Sequence, residues 1–185
     1  LRLADTASGL RQDKLVVAFV AEFSRGKTEL INALFLANHG QRLLPSDAGR
    51  TTMCPTELFA SPDEMPSLCL LPIETRRRSD SLARLKHMPI EWCRILLDPA
   101  DPRQLQENLK KLTETKSMPA VDAIELGLWN GEDAGERHLL RADGTVDVPA
   151  WRYAMVNYPH PLLQAGLTIL DTPGLNALGA EPELT

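Results

Sequence analysis

Residues 15–35 read LVVAFVAEFSRGKTELINALF, and the predicted architecture follows from them. The opening run, 15–20, is continuously apolar and largely β-branched or aromatic, which is typical of a strand buried on both faces inside a parallel sheet. Apolar residues then recur at helical spacing from Thr28 to about Asn38, and Gly40 stands where a helix commonly ends. These residues predict a buried strand, a tight loop and a buried helix.

The loop between strand and helix, AEFSRGKT at 21–28, has the spacing of a phosphate-binding P-loop, with Ala21 in place of the usual first glycine. In such a loop, successive backbone N–H groups converge on phosphate oxygens at the helix N-terminus. Gly26 would permit the close backbone approach, Lys27 would reach the β- and γ-phosphates, and the Thr28 hydroxyl would bind Mg²⁺. The alternative is an ordinary strand-to-helix turn with a surface lysine.

A second short motif, DTPG at 171–174, directly follows a predicted strand at 167–170. Asp171, at the carboxyl end of a strand, can hold Mg²⁺, usually through water, and Gly174 can present its N–H to a γ-phosphate. Four residues are a weak signal, and a proline-containing turn is the alternative. Downstream of a P-loop, the motif predicts a metal-binding position.

Between the two motifs lies LLPSDAGRTTMCPTE at 43–57, which is loop-like because prolines and small polar residues interrupt it. A flexible loop with a threonine, between the P-loop helix and the next strand, is where a nucleotide-sensing switch supplies a hydroxyl and a carbonyl to metal and attacking water. Thr51 and Thr52 are the two candidates for that threonine. Further strands are expected at 57–60 and 67–73.

Three blocks, AEFSRGKTELINAL, LLPSDAGRTTMCPTE and LTILDTPGLN, resemble the dynamin family of large GTPases, particularly its bacterial dynamin-like members. The resemblance implies an α/β fold of the three-layer P-loop NTPase class. It also implies Mg²⁺-dependent GTP hydrolysis, pairing of GTPase domains between two copies of the protein, and action on membranes. Residues 1–185 would be a partial GTPase domain, with a large mixed insertion at about 76–150 between the first switch and DTPG.

The resemblance also assigns roles to single residues. Thr52, three residues before Pro55, is implied as the switch threonine that binds Mg²⁺ and orients water, in preference to Thr51. Ser24 aligns with a P-loop serine that helps a bound K⁺ or Na⁺ offset transition-state charge, and the carbonyl of Gly49 completes that cation site. Since Phe23 stands where eukaryotic dynamins have a glutamine, a second role for Ser24 stays open: tightening the loop through backbone hydrogen bonds.

The candidate residues form three overlapping sets. The expected catalytic residues are Ser24, Lys27 and Thr52, and the expected Mg²⁺ ligands are Thr28, Thr52 and Asp171. The expected nucleotide-binding residues are Glu22, Phe23, Ser24, Arg25, Gly26, Lys27, Thr28, Gly49, Thr51, Thr52, Asp171 and Gly174.

Two other functions are compatible with these motifs. Base selectivity in GTPases comes from an Asp in an N/T-K-x-D loop, and this sequence contains no such motif. The nearest candidate, TKSM at 115–118, has Met where Asp is required. GTP therefore follows from the resemblance alone, and an ATPase with the same phosphate machinery stays open. Ala21 and Phe23 also leave open a nucleotide-gated scaffold without hydrolysis.

Composition excludes several classes of protein. With 185 residues, 43% hydrophobic and 24% charged, the chain suits a globular fold rather than a disordered one. A net charge of −5 provides no overall basic field for nucleic acid. The three cysteines lack C-x-x-C spacing, which argues against a disulfide framework and a structural zinc site. A cytoplasmic protein is expected, with a peripheral role at the inner face of the cell membrane as the resemblance implies.

The remaining expectations concern the rest of the chain. A helix capped by Asp101, with Pro102 at its first position, is expected to run towards Pro119. The tryptophans are expected to pack the inserted region, and the run at 76–78, three arginines, to lie in a solvated turn. The longest apolar run, 15–21, is too short to span a membrane. Both ends are expected to be cut, with the base-specificity motif and a stalk lying outside this chain.

Overall fold

The computed structural model describes residues 15–19, 26–35, 54–131 and 139–172. Eight strands lie in these ranges: β1 (Leu15–Phe19), β2 (Thr56–Phe59), β3 (Ser67–Pro72), β4 (Cys93–Leu96), β5 (Thr115–Pro119), β6 (Thr145–Pro149), β7 (Trp151–Asn157) and β8 (Leu167–Asp171). The α-helices of the same ranges are α1 (Lys27–Phe35), α2 (Leu82–Lys86), α3 (Pro102–Leu109), α4 (Ala120–Glu125) and α5 (Pro161–Gln164).

Six strands form one mixed sheet in the order β1-β8-β2-β7-β3-β4. The β1–β8 and β2–β7 pairs are parallel, and the β2–β8, β3–β7 and β3–β4 pairs are antiparallel. Helix α1 packs on this sheet through Ile31, which is fully buried in the same core as Leu58 of β2 and Ile169 of β8. The predicted α/β class is confirmed at the level of a mixed α/β fold built on one main sheet. Because β8 lies between β1 and β2, the end of β8 adjoins both of these strands.

The prediction that β1 is buried on both faces was wrong for the described residues. Leu15 is 64% exposed and Val16 61% exposed. Within the described ranges β1 pairs with β8 alone and lies at the edge of the sheet, where elements packed on the two faces cover a strand less completely than at the centre. Helix α1 is likewise only half buried, because Leu30 and Leu34 point to solvent while Ile31 faces the sheet.

The start of α3 agrees with prediction, but its end does not. The Asp101 carboxylate accepts hydrogen bonds from the backbone N–H groups of Arg103 and Gln104, at 3.0 and 3.1 Å, and Pro102 begins the helix. The α-helix ends at Leu109 and continues as a 3-10 turn to Thr113. The next residues extend because they pair with β6 as strand β5.

A second, smaller unit lies within the range predicted to be an insertion. Strands β5 and β6 form a two-stranded sheet, and α4 packs on it around a core that includes Met118, Ala123 and Trp129. A turn precedes β6, in which Gly144 has a φ of +78° and its N–H donates to the carbonyl of Arg141. Strand β4 belongs to the same range of sequence and extends the main sheet. The interpretation of 76–150 as an insertion stays a prediction.

The tryptophans were predicted to pack the inserted region; Trp129 packs within that range, whereas Trp92 and Trp151 are half-buried against the cores around β3 and β7. Trp129 is buried in the core of the smaller unit. The indole N–H of Trp92 donates to the Leu85 carbonyl at 2.8 Å, and that of Trp151 donates to the Lys111 carbonyl at 2.7 Å. Each of these two indoles therefore satisfies its one polar atom within the protein while its ring contributes buried apolar area.

The arginine run joins the smaller unit to the main sheet. Arg76 and Arg77 end the 3-10 turn at 73–77, and Arg77 and Arg78 are exposed, which agrees with the predicted solvated turn. Arg76 donates to the Leu126 carbonyl at 3.1 Å, and Arg77 pairs with Asp122 of α4 at 2.7 Å. The run therefore also contacts α4, through Asp122, and Leu126, the residue that follows this helix.

Asn157 organises the loop between β2 and β3. Its side-chain oxygen accepts from the Ser61 N–H at 2.9 Å, and its amide donates to the carbonyls of Glu64 and Met65 at 3.3 and 3.2 Å. N157D should lower the free energy of unfolding by about 3 kcal/mol, because a buried carboxylate would face two carbonyl oxygens. Urea denaturation measures the change.

The matched control is N108D, since Asn108 lies partly exposed on α3. This control should change the free energy of unfolding by less than about 0.5 kcal/mol. Equal stability of N157D and the unsubstituted protein would contradict the role of the Asn157 amide.

Candidate functional site

The carboxyl ends of β1 and β8 lie side by side. The two strands pair in parallel with Phe19 beside Asp171, and the Thr172 hydroxyl donates to the Phe19 carbonyl at 3.0 Å. The strand that enters the predicted P-loop and the strand that enters DTPG therefore end at the same edge of the sheet. In open α/β sheets, ligands bind outside the carboxyl ends of parallel strands.

Gly26 and the start of α1 form the C-terminal part of the predicted phosphate loop. Gly26 has a φ of +79°, which L-residues with a side chain rarely adopt, and among the described residues other than its chain neighbours no heavy atom lies within 4 Å of the position a Cβ would occupy. The backbone conformation by itself therefore favours glycine at this position. The Leu30 N–H donates to the Gly26 carbonyl at 3.0 Å, and Lys27 and Thr28 begin the helix. The partial positive charge of this helix end favours an anion.

The end of the first predicted switch segment lies next to Asp171. Strands β2 and β8 pair with Thr56 directly opposite Asp171, and the Thr56 hydroxyl donates to the Cys54 carbonyl at 3.2 Å. Cys54 is 2% exposed, Asp171 3% and Thr56 4%. The sheet therefore brings the residues on both sides of Pro55 to the position predicted to hold Mg²⁺.

The Cys54 thiol is neutral in this environment. Burial raises the pKa of this thiol to about 12. The negative charge of Asp171 also raises the pKa, whereas hydrogen bonding with Thr56 lowers it. A neutral thiol is neither a nucleophile nor a good metal ligand. The three cysteines are free, as the spacing predicted.

The residues fit a magnesium ion held in part by a nucleotide. Mg²⁺ in phosphate-transfer sites takes one or two protein oxygens, several waters and substrate phosphate oxygens. Asp171 supplies a buried carboxylate at the predicted edge. Across the described ranges, no group of three or more His, Cys, Asp or Glu side chains could hold a metal by itself.

Only some of the predicted site residues fall within the described ranges. The structure places Gly26, Lys27 and Thr28 at the start of α1, and Asp171 at the end of β8. The other predicted site residues lie outside the described residues: Glu22, Phe23, Ser24, Arg25, Gly49, Thr51, Thr52 and Gly174.

Sequence reasoning missed a polar cluster at the start of β2. The Tyr153 hydroxyl donates to the Glu57 carboxylate at 3.0 Å, and Lys86 of α2 forms an ion pair with the same carboxylate. The Lys86 ammonium also lies 5.1 Å from the centroid of the Tyr153 ring, within the range of a cation–π contact. No sequence motif indicates this cluster, because its members come from three separate elements.

Comparisons with known proteins agree with the resemblance read from the motifs. The family model described as "Dynamin family" matches residues 17–183. A bacterial dynamin-like protein from Nostoc punctiforme is 26% identical over 179 residues, which are 97% of this chain and 19% of that protein. This chain thus spans about a fifth of the length of that curated relative.

Solved structures of a bacterial dynamin pair also match. Two matching chains come from structures of an oligomerised bacterial dynamin pair, described as a mechanism for the long-range sensing and tethering of membranes. Each match covers 94% of this chain. One has 19% identity and a TM-score of 0.45, covering 19% of that chain. The other has 18% identity and a TM-score of 0.36, covering 18% of that chain.

The described helices are all too short or too polar to cross a lipid bilayer.

Proposed function

Because this chain belongs to the dynamin family, we propose that it binds GTP and hydrolyses the γ-phosphate in an Mg²⁺-dependent reaction. The observation that carries the proposal is the parallel pairing of β1 with β8, which sets Phe19 beside Asp171. This pairing supports one shared site for the phosphate loop and the metal-binding aspartate. Catalysis at such a site consists mainly of positioning and charge stabilisation.

In this proposal the residues at the start of α1 hold the triphosphate. Backbone N–H groups of 22–26 surround the phosphates, Lys27 contacts the β- and γ-phosphate oxygens, and the Thr28 hydroxyl and Asp171 hold Mg²⁺, the latter through water. The Mg²⁺ that these residues would hold would supply positive charge to offset the negative charge that develops on the phosphate oxygens. Gly174 donates its N–H towards the γ-phosphate.

The first switch segment completes the proposed site. Thr52 orients the attacking water and contributes an oxygen to the Mg²⁺ site, with Thr51 as its neighbour. Ser24 and the Gly49 carbonyl hold a K⁺ or Na⁺ that offsets charge in the transition state. These roles rest on family membership and on the motif spacing.

Self-association and a peripheral membrane location are also part of the proposed function. Nucleotide-dependent ordering of 43–57 and 171–180 would change the surface offered to a second copy of the GTPase domain. We propose self-association through that surface and a peripheral membrane role in the cytoplasm, both of which rest on family membership. Size-exclusion chromatography with and without a GTP transition-state analogue tests the self-association.

Competition between nucleotides tests the proposed substrate. In the full-length protein with Mg²⁺, GTP should displace a fluorescent GTP analogue at a concentration at least about tenfold below that of ATP, a difference of about 1.4 kcal/mol. Phosphate release should accompany GTP binding. Equal competition by ATP would support the ATPase alternative. Binding without turnover in the presence of K⁺ and liposomes would support the scaffold.

A further inference from the structure

The start of β2 joins the first switch segment to the metal-binding edge of the sheet. We propose that Thr56 is a positioning residue for the magnesium site, holding the chain that leaves the switch segment in place beside Asp171. The inference rests on the proposed function, and it assigns a role to a residue outside the P-loop and DTPG motifs. The motifs contain no indication of this role.

Strand register places Thr56 at this position. In an antiparallel pair, residues directly opposite each other project from the same face of the sheet, and Thr56 stands opposite Asp171. Both side chains are buried, Thr56 at 4% and Asp171 at 3% exposure. A substitution at Thr56 therefore changes the immediate packing environment of the aspartate.

The Thr56 hydroxyl controls the backbone on the switch side. It donates to the carbonyl of Cys54, two residues upstream, at 3.2 Å. The hydrogen bond spans Pro55, which has no N–H to contribute, so the side chain supplies a backbone restraint at this turn. Cys54 in turn lies two residues after Thr52, the proposed switch threonine.

The next residue, Glu57, anchors β2 on the other face of the sheet. Successive strand residues project to opposite faces, so Glu57 lies on the face opposite Thr56. The Glu57 carboxylate binds the Tyr153 hydroxyl and Lys86. Because 56 and 57 are fixed on both faces, the nucleotide-dependent change proposed for 43–57 is narrowed to the residues upstream of Cys54. The Thr56–Cys54 hydrogen bond is then the boundary between the fixed sheet and the switch.

The test compares three substitutions in the full-length protein. T56V keeps the shape of the side chain and removes the donor, whereas T56S keeps a hydroxyl. T75V is the matched control, because Thr75 is also buried and its hydroxyl donates to the Pro72 carbonyl at 2.7 Å, in the 3-10 turn at 73–77. The primary readout is the Mg²⁺ concentration giving half-maximal binding of a non-hydrolysable GTP analogue.

T56V should raise that Mg²⁺ concentration about tenfold, as changes to residues that orient metal ligands commonly do. T56S should restore it to within about twofold, and T75V should leave it unchanged. Hydrogen exchange in the peptide 43–57, measured with Mg²⁺ and the analogue bound, should increase in T56V and not in T75V. Neither readout depends on turnover.

The outcomes separate this inference from the proposed function. Unchanged Mg²⁺ dependence in T56V, with melting temperatures of T56V and T75V lowered alike, would overturn the positioning role and leave the proposed function standing. If the unsubstituted protein shows no Mg²⁺-dependent nucleotide binding, the proposed function and the inference both fail.

Discussion

K27A in the full-length protein is expected to weaken GTP binding by about 100-fold and leave the fold intact. Lys27 begins α1, directly after Gly26, where the helix end already favours an anion. A charge-assisted hydrogen bond contributes about 1.5–3 kcal/mol, and the upper part of this range corresponds to a hundredfold change in affinity. Titration calorimetry measures the affinity, and circular dichroism checks the fold.

K110A is the matched control for K27A. It removes the same charge at the exposed Lys110, which follows α3. GTP affinity should stay within about twofold of the unsubstituted protein, since isolated surface charges contribute little. If K27A and K110A bind GTP equally well, the loop at 21–28 is not a phosphate site, and the proposed function loses its main chemical basis.

D171N is expected to reduce kcat for GTP hydrolysis by about 100- to 1000-fold. The substitution preserves the shape of a buried side chain at the end of β8 and removes its negative charge. Loss of one preorganised electrostatic group in an active site commonly has an effect of this size. Steady-state phosphate release at saturating GTP and Mg²⁺ measures the change.

D147N serves as the control for D171N. Asp147 is exposed on β6 and pairs with Arg141, so the substitution removes a carboxylate of the same type from the smaller unit. Its kcat should stay within about twofold of the unsubstituted protein. If D171N hydrolyses GTP at the same rate as D147N, Asp171 has no part in the reaction.

The elements that were predicted correctly have local signals. The N-terminus of α3 is marked by Asp101 and Pro102, and both act within one helical turn. Strand β8 was predicted because Leu167, Ile169 and Leu170 form a short, largely apolar run before Asp171. Strand β7 was missed, although it lies inside the main sheet, because its sequence WRYAMVN places Arg152 and Asn157 at buried positions.

The polar residues of β7 are accommodated by partners that no local pattern indicates. Arg152 donates to the carbonyl of Thr75 at 3.1 Å, and Asn157 contacts three backbone groups of the loop at 61–65. These hydrogen bonds make burial of a guanidinium and an amide tolerable. A pattern of apolar and polar residues cannot show that buried polar side chains find hydrogen-bond partners far away in the chain, so the strand was not recognised.

The motifs alone predicted the chemical groups of the candidate site, because each motif is a short run whose spacing is typical of one backbone conformation. Asp171 ends its strand, and Gly26 has a positive φ that the motif had not specified. The pairing of distant strands determined which of these groups meet. Register between β2 and β8 set Thr56 opposite Asp171, and β1, at the edge of the sheet within the described ranges, has Leu15 and Val16 exposed. Both follow from hydrogen bonds and contacts between segments far apart in the chain, which local sequence does not encode.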